Sequence, residues 1–258
     1  MKNNLRTVFF TIADTKLQNN TNARNLDFDG FVKSFKRFHP EHELVVFDET
    51  HLKLQGLNYY NAKASFGRML SENYDLVVNV DADHYFFDRA HEILAGDYDI
   101  ACPANFNITD NLVGINVKSG INGASNEQVL ISVTDFLQGG LIASPNKQFW
   151  KHYEYAVNKY YNKFVCFEND VLNLVAYLYP YEVKVLEGAT HFREKGRTCW
   201  YGCSIIGREK DCYIQNNLIM LDGLPVKAYH FAHGGGKKKY NEVFNNEVSE
   251  FIKQNIIN

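Results

Sequence analysis

Long apolar runs are missing from this chain. Nowhere in its 258 residues is there an approach to the roughly 20 consecutive apolar side chains that a helix needs to cross a bilayer. The opening Met1-Lys2-Asn3-Asn4-Leu5-Arg6 passes directly into a strand-like segment with no signal-peptide core. A transmembrane segment is therefore not expected, and the sequence points to a cytoplasmic protein, or one at the cytosolic face of a membrane. An excess of one charge is missing too. Lys and Arg number 27 against 30 Asp and Glu, and a net charge of -3 gives no broad attraction for nucleic acid or anionic lipid. Cysteine is scarce and odd in number. Cys102, Cys166, Cys199, Cys203 and Cys212 suit reduced thiols better than a disulfide framework. Cys199, Cys203 and Cys212 with His191 are zinc-ligand types, but their spacings match no common zinc pattern. There is no internal repeat and no low-complexity run.

What is present belongs to a globular α/β protein. Hydrophobic residues make up 45% of the chain and charged residues 22%, enough to bury a large core in a single domain. Thr7 to Asp14 (TVFFTIAD) reads as a buried strand, and Asp29 to Phe38 places Phe31, Phe35 and Phe38 on one helical face before Pro40. Strands at Glu43 to Phe47 and Asp75 to Val80 with a helix at about Asn61 to Ser71 continue the alternation of a parallel sheet covered on both faces. Further strands are expected at Tyr98 to Ala104, Phe136 to Ser144, Tyr181 to Leu186 and Val226 to Ala232, with helices at about Lys147 to Tyr161 and Asn169 to Leu178. Asn105 to Asn126, rich in Asn and Gly, reads as a surface loop. In the tail, Glu242 to Ile257 gathers Phe244, Val248, Phe251 and Ile252 on one face of a docking helix.

The segment with the clearest chemistry is Tyr74-Asp75-Leu76-Val77-Val78-Asn79-Val80-Asp81-Ala82-Asp83. Its continuous apolar run is a strand buried on both faces, and open α/β sheets bind ligands at the carboxyl ends of such strands. In extended chain alternate side chains point the same way, so Asp81 and Asp83 converge on one spot while Ala82 turns aside. Two carboxylates held together favour a hard divalent cation shared with substrate phosphates, although the same pair would also be at ease as solvated acids in a turn. Near the other end, Ala228-Tyr229-His230-Phe231-Ala232-His233-Gly234-Gly235-Gly236-Lys237-Lys238-Lys239 offers an imidazole on a strand, glycines that let backbone approach a ligand, and ammonium groups suited to a diphosphate. Nitrogen ligation tilts the metal towards Mn²⁺ over Mg²⁺. The bland alternative is a glycine linker before a solvated lysine run.

Asp81-Ala82-Asp83 resembles the Asp-x-Asp motif of GT-A glycosyltransferases. The resemblance extends to the retaining members similar to glycogenin and to lipopolysaccharide galactosyltransferases. These end in His-x-x-Gly-x-x-Lys-Pro-Trp, to which His230 and Lys237 correspond here with one extra residue between them and no Pro-Trp. What this implies is a Rossmann-like, mainly parallel sheet and transfer of a sugar from a nucleotide-sugar donor, in the first place a UDP-sugar, to a glycan, glycolipid or glycoprotein. A divalent cation on Asp81, Asp83 and His230 and a diphosphate near Lys237 or Lys238 are implied as well. On this reading residues 1–105 form a nucleotide-binding half, 106–240 an acceptor-binding half and 241–258 a C-terminal helix.

Other positions fill out the expected site. Phe167-Glu168-Asn169-Asp170-Val171-Leu172-Asn173 is similar to the family's Asp-Gln-Asp-x-Leu-Asn stretch, placing Asn169 beside the anomeric carbon with Glu168 before it. Asparagine is a poor nucleophile, so either Glu168 or Asn169 stabilises positive charge in a same-face reaction, or Asp170 acts as general base and inverts the centre. A helix N-terminus favoured by acidic residues accounts for the same three residues without chemistry. Phe136-Leu137-Gln138-Gly139-Gly140-Leu141 resembles the glycine-containing strand that lines the donor sugar, with Gln138 a candidate for a sugar hydroxyl. Thr11, Ile12, Ala13 and Asp14 stand where such enzymes hold the base, and Lys63 and Arg68 are candidates for donor phosphates or ribose. The stretch from His191 to Cys203, with Arg193, Lys195, Arg197, Trp200 and Tyr201, combines cations and rings suited to an acceptor cleft. Two other functions compete. A sugar-nucleotide-forming nucleotidyltransferase opens with a glycine-rich phosphate loop after its first strand, and Asp14 to Gln18 contains no glycine. A catalytically inert nucleotide- or sugar-binding domain would bind without turnover.

Overall fold

A computed structural model describes residues 5–19, 27–105, 112–119, 123–133, 135–188, 196–231 and 239–258. Its elements begin with β1 (Thr7–Ile12), α1 (Thr15–Gln18), α2 (Phe28–Phe38), β2 (Glu43–Phe47), α3 (Glu49–Leu54), α4 (Tyr59–Ser71) and β3 (Leu76–Val80). There follow β4 (His84–Phe86), α5 (His91–Leu94), β5 (Ile100–Cys102), β6 (Leu112–Ser119), β7 (Gly123–Ser132), β8 (Leu141–Ser144), α6 (Lys147–Tyr160), α7 (Phe167–Leu178) and β9 (Val183–Val185). The last are β10 (Tyr213–Gln215), β11 (Leu218–Leu221), β12 (Leu224–Pro225), β13 (Ala228–His230), α8 (Tyr240–Val243) and α9 (Asn246–Asn255).

Six strands form the central sheet in the order β2-β1-β3-β8-β5-β9. β1 runs parallel to β2 and β3, β5 runs parallel to β9, and β8 runs against both of its neighbours. The period-two alternation of strand side chains splits the core into two layers. Phe9, Leu76, Val78 and Val80 join α2 and α9 residues such as Phe31, Phe35, Val248 and Ile252 on one face. Val8, Phe10 and Val77 meet Phe66, Phe149, Trp150 and Leu172 of α4, α6 and α7 on the other. The C-terminal segment docks on the domain through its apolar residues, but as two helices broken at Phe244 and Asn245, where the Asn245 side chain caps α9, and not as one helix from Glu242 to Ile257.

Most expected elements are present with ends shifted by one to three residues. The segment read as a loop at Asn105 to Asn126 instead contributes β6 and most of a hairpin with β7, paired antiparallel from Leu112↔Ser132 to Ser119↔Gly123 with an irregularity between Asn116 and Lys118. Val113, Ile115 and Ile131 are buried while Leu112 and Leu130 are exposed, the alternation of a one-sided strand pair. Asn and Gly in the segment obscured that alternation, and cross-strand pairing overrode their local preference. The strand expected at Phe136 to Ser144 starts only at Leu141, because Gly139 and Gly140 form a turn ahead of it. No helix among the described residues is long and apolar enough to cross a membrane.

Helix α4, which carries Lys63, is pressed against α6 through Gly67. A Cβ on Gly67 would lie 2.2 Å from Cε3 of the fully buried Trp150 ring. An indole has no flexible end to give way, so the helices must part. Gly67→Ala is expected to cost about 1–3 kcal/mol, lowering Tm by roughly 2–4 °C for each kcal/mol. A thermal melt that matches the parent protein would show that α4 has room to move.

Candidate metal and sugar-nucleotide site

The carboxyl end of β3 is where the topology concentrates polar groups. Because β8 runs antiparallel to β3, its start lies beside the end of β3, with Val80 opposite Leu141 and the Asp81 N–H donating to the Gly140 carbonyl at 2.8 Å. The chain does not stay extended through Asp81-Ala82-Asp83. β3 stops at Val80, and the His84 N–H closes a turn on the Asp81 carbonyl at 3.0 Å before β4 begins. The turn leaves Asp81 partly exposed but keeps Asp83 buried, so Asp83 must find a partner inside the protein. β4 then pairs antiparallel with β13, placing His230 opposite His84.

This pairing brings the C-terminal imidazole to the acids. His230 Nε2 lies 3.1 Å from Asp83 Oδ1 and 3.9 Å from Asp81 Oδ2, and Asp83 and His230 are each 5% exposed. Burial acts to lower the His230 pKa, but the Asp83 carboxylate and then Cys203 outweigh it and push the imidazole up to about 10. On its other side His230 Nδ1 meets the Gln138 side-chain nitrogen at 2.7 Å and Cys203 Sγ at 3.3 Å. Gly140 is required here, since a Cβ would sit 2.7 Å from His230 Cε1.

Lys63 supplies the counter-charge to the acids. Its ammonium is 2.9 Å from Asp81 Oδ1, 3.2 Å from the Gly139 carbonyl and 3.4 Å from Glu168 Oε1. Burial opposes the charge, but Asp81 and then Glu168 more than reverse that effect and hold the lysine pKa above its ordinary value. Glu168 and Asn169 arrive on the first turn of α7, whose entry residue Phe167 has φ +50°. Asn169 Oδ1 accepts from the Gly139 N–H at 2.7 Å, and Asn173 ties α7 to Leu137 by accepting from its N–H and donating to its carbonyl.

Asp81, Asp83, His230, Lys63, Gln138, Glu168 and Asn169 are therefore gathered at one place. Other candidates lie elsewhere. Asp170 is buried and accepts from the Cys166 N–H at 2.8 Å, so its carboxylate is engaged at the start of its own helix. Arg68 Nε is 2.5 Å from Glu154 Oε2 of the neighbouring α6, so it is occupied by a carboxylate and not by the site. At the end of β1, Thr11 is buried, the Ala13 N–H donates to the Phe47 carbonyl, and Asp14 caps α1 by accepting from the Leu17 N–H. Trp200 and Tyr201 are core residues: Trp200 Nε1 donates to the Leu221 carbonyl, Tyr201 donates to Glu92, and Arg197 stacks over Trp200 at 3.9 Å. They do not line an open acceptor cleft. Lys237 and Lys238, with His191, Arg193, Lys195 and His233, lie outside the described residues.

Two participants were not foreseen. Cys203 touches His230, and His84 stacks on it with ring centroids 4.1 Å apart. His84 was visible as the residue after Asp83, but only the β4–β13 register shows that it faces His230. Among the described residues, Asp83, His84 and His230 form the group of potential metal ligands, with donor atoms within 4.8 Å of one another.

The surroundings fit a cation. A metal-ligating imidazole needs its second nitrogen protonated and facing an acceptor. Gln138 Oε1 is buried without a partner while its amide nitrogen faces His230 Nδ1. Reversing that amide, whose two ends are interchangeable in shape, gives the Nδ1–H an acceptor and leaves Nε2 for the metal.

Similar structures agree with this architecture. Over 95% of this chain and 95% of the other, the fold matches the galactosyltransferase LgtC in complex with donor and acceptor sugar analogues, with TM-score 0.53 and 12% identity. It matches an active-site mutant of LgtC over 95% and 94% with TM-score 0.53 and 14% identity. The chain has the GT-A glycosyltransferase fold. A third match, the bifunctional glycosyltransferase WbbM in its apo form, has TM-score 0.51 and 13% identity and covers 90% of this chain, which spans only 46% of WbbM. No protein-family model and no curated protein sequence matches the chain. What the GT-A fold shares with these proteins is the layout of sheet and helices, and the side chains at its sheet edge must be argued on their own.

The charge balance of that edge can be tested without substrate. Lys63→Met leaves Asp81 and Glu168 facing each other without their cation. The expected loss is roughly 1–3 kcal/mol, between the values for exposed and buried pairs. Added Mn²⁺ should restore more Tm in Lys63→Met than it adds to the parent protein, because the ion replaces the missing charge. Equal Mn²⁺ shifts in the two proteins would mean that the ion does not bind beside Asp81.

Proposed function

We propose that the chain is a metal-dependent glycosyltransferase that moves a sugar from a nucleotide-sugar donor, in the first place a UDP-sugar, to a hydroxyl of a glycan, glycolipid or glycoprotein. The reading is carried by one observation: on a GT-A sheet, an imidazole from the C-terminal strand pair lies 3.1 Å from the second of two aspartates at the sheet's ligand-binding edge. Asp81, Asp83 and His230 would hold the cation, Mn²⁺ in preference to Mg²⁺, and such an ion neutralises the charge of a departing diphosphate.

The remaining roles follow from placement. Gly139 and Gly140 keep the wall beside the metal ligands free of side chains, so a sugar ring can lie against backbone. Glu168 holds a negative charge next to Lys63, where it would face positive charge developing on the anomeric carbon. Asn169, whose carbonyl oxygen is occupied by the Gly139 N–H, orients that wall and makes no covalent bond. Asp170 is engaged at its helix start and is not free to serve as a general base, and the reading therefore keeps retention of configuration as the more favoured outcome. Of the residues at the end of β1, Thr11 and Ala13 are buried, so a base would meet only Ile12 and Asp14 there. Lys237 and Lys238, after the glycine run, would supply cations to the diphosphate.

Purified protein incubated with Mn²⁺ and a panel of UDP-sugars should release free UDP with at least one of them. Asp83→Ala should abolish metal-dependent nucleotide binding and UDP release while its circular dichroism stays that of the parent. Binding without any release of UDP points to an inert binding domain, and undiminished nucleotide binding in Asp83→Ala would falsify the site.

A further inference from the structure

We propose that His84 is itself a ligand of the bound cation, so that the metal centre pairs two cross-strand imidazoles with the aspartates. This rests on the metal-dependent reading above and goes beyond the Asp81, Asp83 and His230 set. The first observation is a deficit: His84 is completely buried, and neither of its ring nitrogens makes a well-formed hydrogen bond, although the Asp81 backbone lies close enough to act on the ring. Buried polar atoms are nearly always satisfied, and leaving two unsatisfied is costly. The second is position. His84 is the direct partner of His230 in the β4–β13 register, follows Asp83 in sequence, and has a ring nitrogen within 4.8 Å of donor atoms on both.

A deficit alone would not suffice. His39 is equally buried and equally without partners, but it stacks among Phe9, Phe35 and Phe86, the surroundings of a ring used as packing. His84 is stacked on an imidazole that touches a carboxylate, with Asp83 adjacent. Asp83, His230 and His84 are the donors that lie together in the buried part of the site, with Asp81 beside them on Lys63. The lone pairs of an imidazole lie in the plane of its ring. Stacked 15° from parallel, the two rings do not yet aim at one point, and ligation requires the His84 ring to turn about its Cβ–Cγ bond. That turn gives up at most a weak contact with the Asp81 backbone, since neither nitrogen makes a well-formed hydrogen bond. Two nitrogen donors shift preference from Mg²⁺ towards Mn²⁺, Fe²⁺, Co²⁺ and Zn²⁺.

His84→Leu separates this role from a packing role, because it keeps the volume and removes both nitrogens. Chelator-treated His84→Leu should melt at or above the parent temperature, as two unsatisfied polar atoms are gone. Its Mn²⁺ affinity, read by the electron paramagnetic resonance of free Mn²⁺, should fall at least tenfold, and the visible spectrum of the Co²⁺-loaded protein should change. The unmutated protein gives an independent check, since electron-spin-echo modulation of bound Mn²⁺ should report two coupled imidazoles. A single coupled imidazole, or Mn²⁺ affinity within twofold of the parent and an unaltered Co²⁺ spectrum in His84→Leu, overturns the role of His84 and leaves the glycosyltransferase reading standing. Failure of the unmutated protein to bind Mn²⁺ at all overturns both. Should His84→Leu not fold, the spin-echo result decides alone.

Discussion

Three carboxylates are crowded at the end of β3, and the arrangement survives because each has a cation. Asp81 and Glu168 share the ammonium of Lys63, and Asp83 takes the imidazole of His230. Without these partners the acids would repel and would pay for desolvation, since Asp83 is almost fully buried. Every element around the edge is tied to this balance. α4 must pack closely enough on α6 to bring Lys63 in, which the missing side chain at Gly67 permits. α7 must start where Glu168 reaches Lys63, and Asn173 fixes it there by bonding both backbone groups of Leu137. β13 must pair with β4 in the register that sets His230 against Asp83.

The antiparallel β8 makes these demands compatible. A parallel strand in its place would put its carboxyl end beside that of β3, and the segment entering it would lie at the far edge of the sheet. Running the other way, β8 delivers Gln138-Gly139-Gly140 to the end of β3, and these three residues touch nearly everything that matters there. Gln138 meets His230, Gly139 meets Asn169 and Lys63, and Gly140 accepts from the Asp81 N–H. The two glycines serve different neighbours. A Cβ on Gly139 would lie 3.0 Å from Asn169 Oδ1, whereas one on Gly140 would collide with the His230 ring.

Much of this was legible in the sequence, and the limits have physical causes. The apolar run Leu76 to Val80 followed by two acids could only be a buried strand ending in a polar edge, because charge cannot continue through a two-sided core. The resemblance that joined His230 to those acids is a statement about chemistry across many residues, and the β4–β13 pairing supplies its geometry. Partners depend on register and on helix placement, which no local pattern encodes. Lys63 reads in sequence as a free cation, and only the packing of α4 shows it gripping Asp81. Trp200 and Tyr201 read as binding rings, but an aromatic side chain looks the same in sequence whether it faces a cleft or a core. The hairpin β6–β7 was hidden by Asn and Gly, whose turn preference is a weak bias against a full ladder of pairing bonds.

The polar atoms that the fold leaves unsatisfied bear on how this edge works. Thr11 Oγ1 stands one residue before the end of β1, both side-chain atoms of Asn79 one residue before the end of β3, Gln138 Oε1 at the approach to β8, and the two nitrogens of His84 just past the aspartates. A sequence selected for stability alone would fill such positions with apolar residues at little cost, as it has at Val78 and Val80 on the same strand. Unsatisfied atoms also occur away from this edge, as at His39, Ser65 and Ser249, so they do not by themselves mark a site; at His84 and Gln138 they lie beside the potential ligands Asp83 and His230. The charge pairs offset the repulsion and desolvation of the acids, and the open hydrogen-bonding capacity beside them is what a bound cation could use. The two features act in opposite directions on stability, which is why they occupy different residues of the same edge.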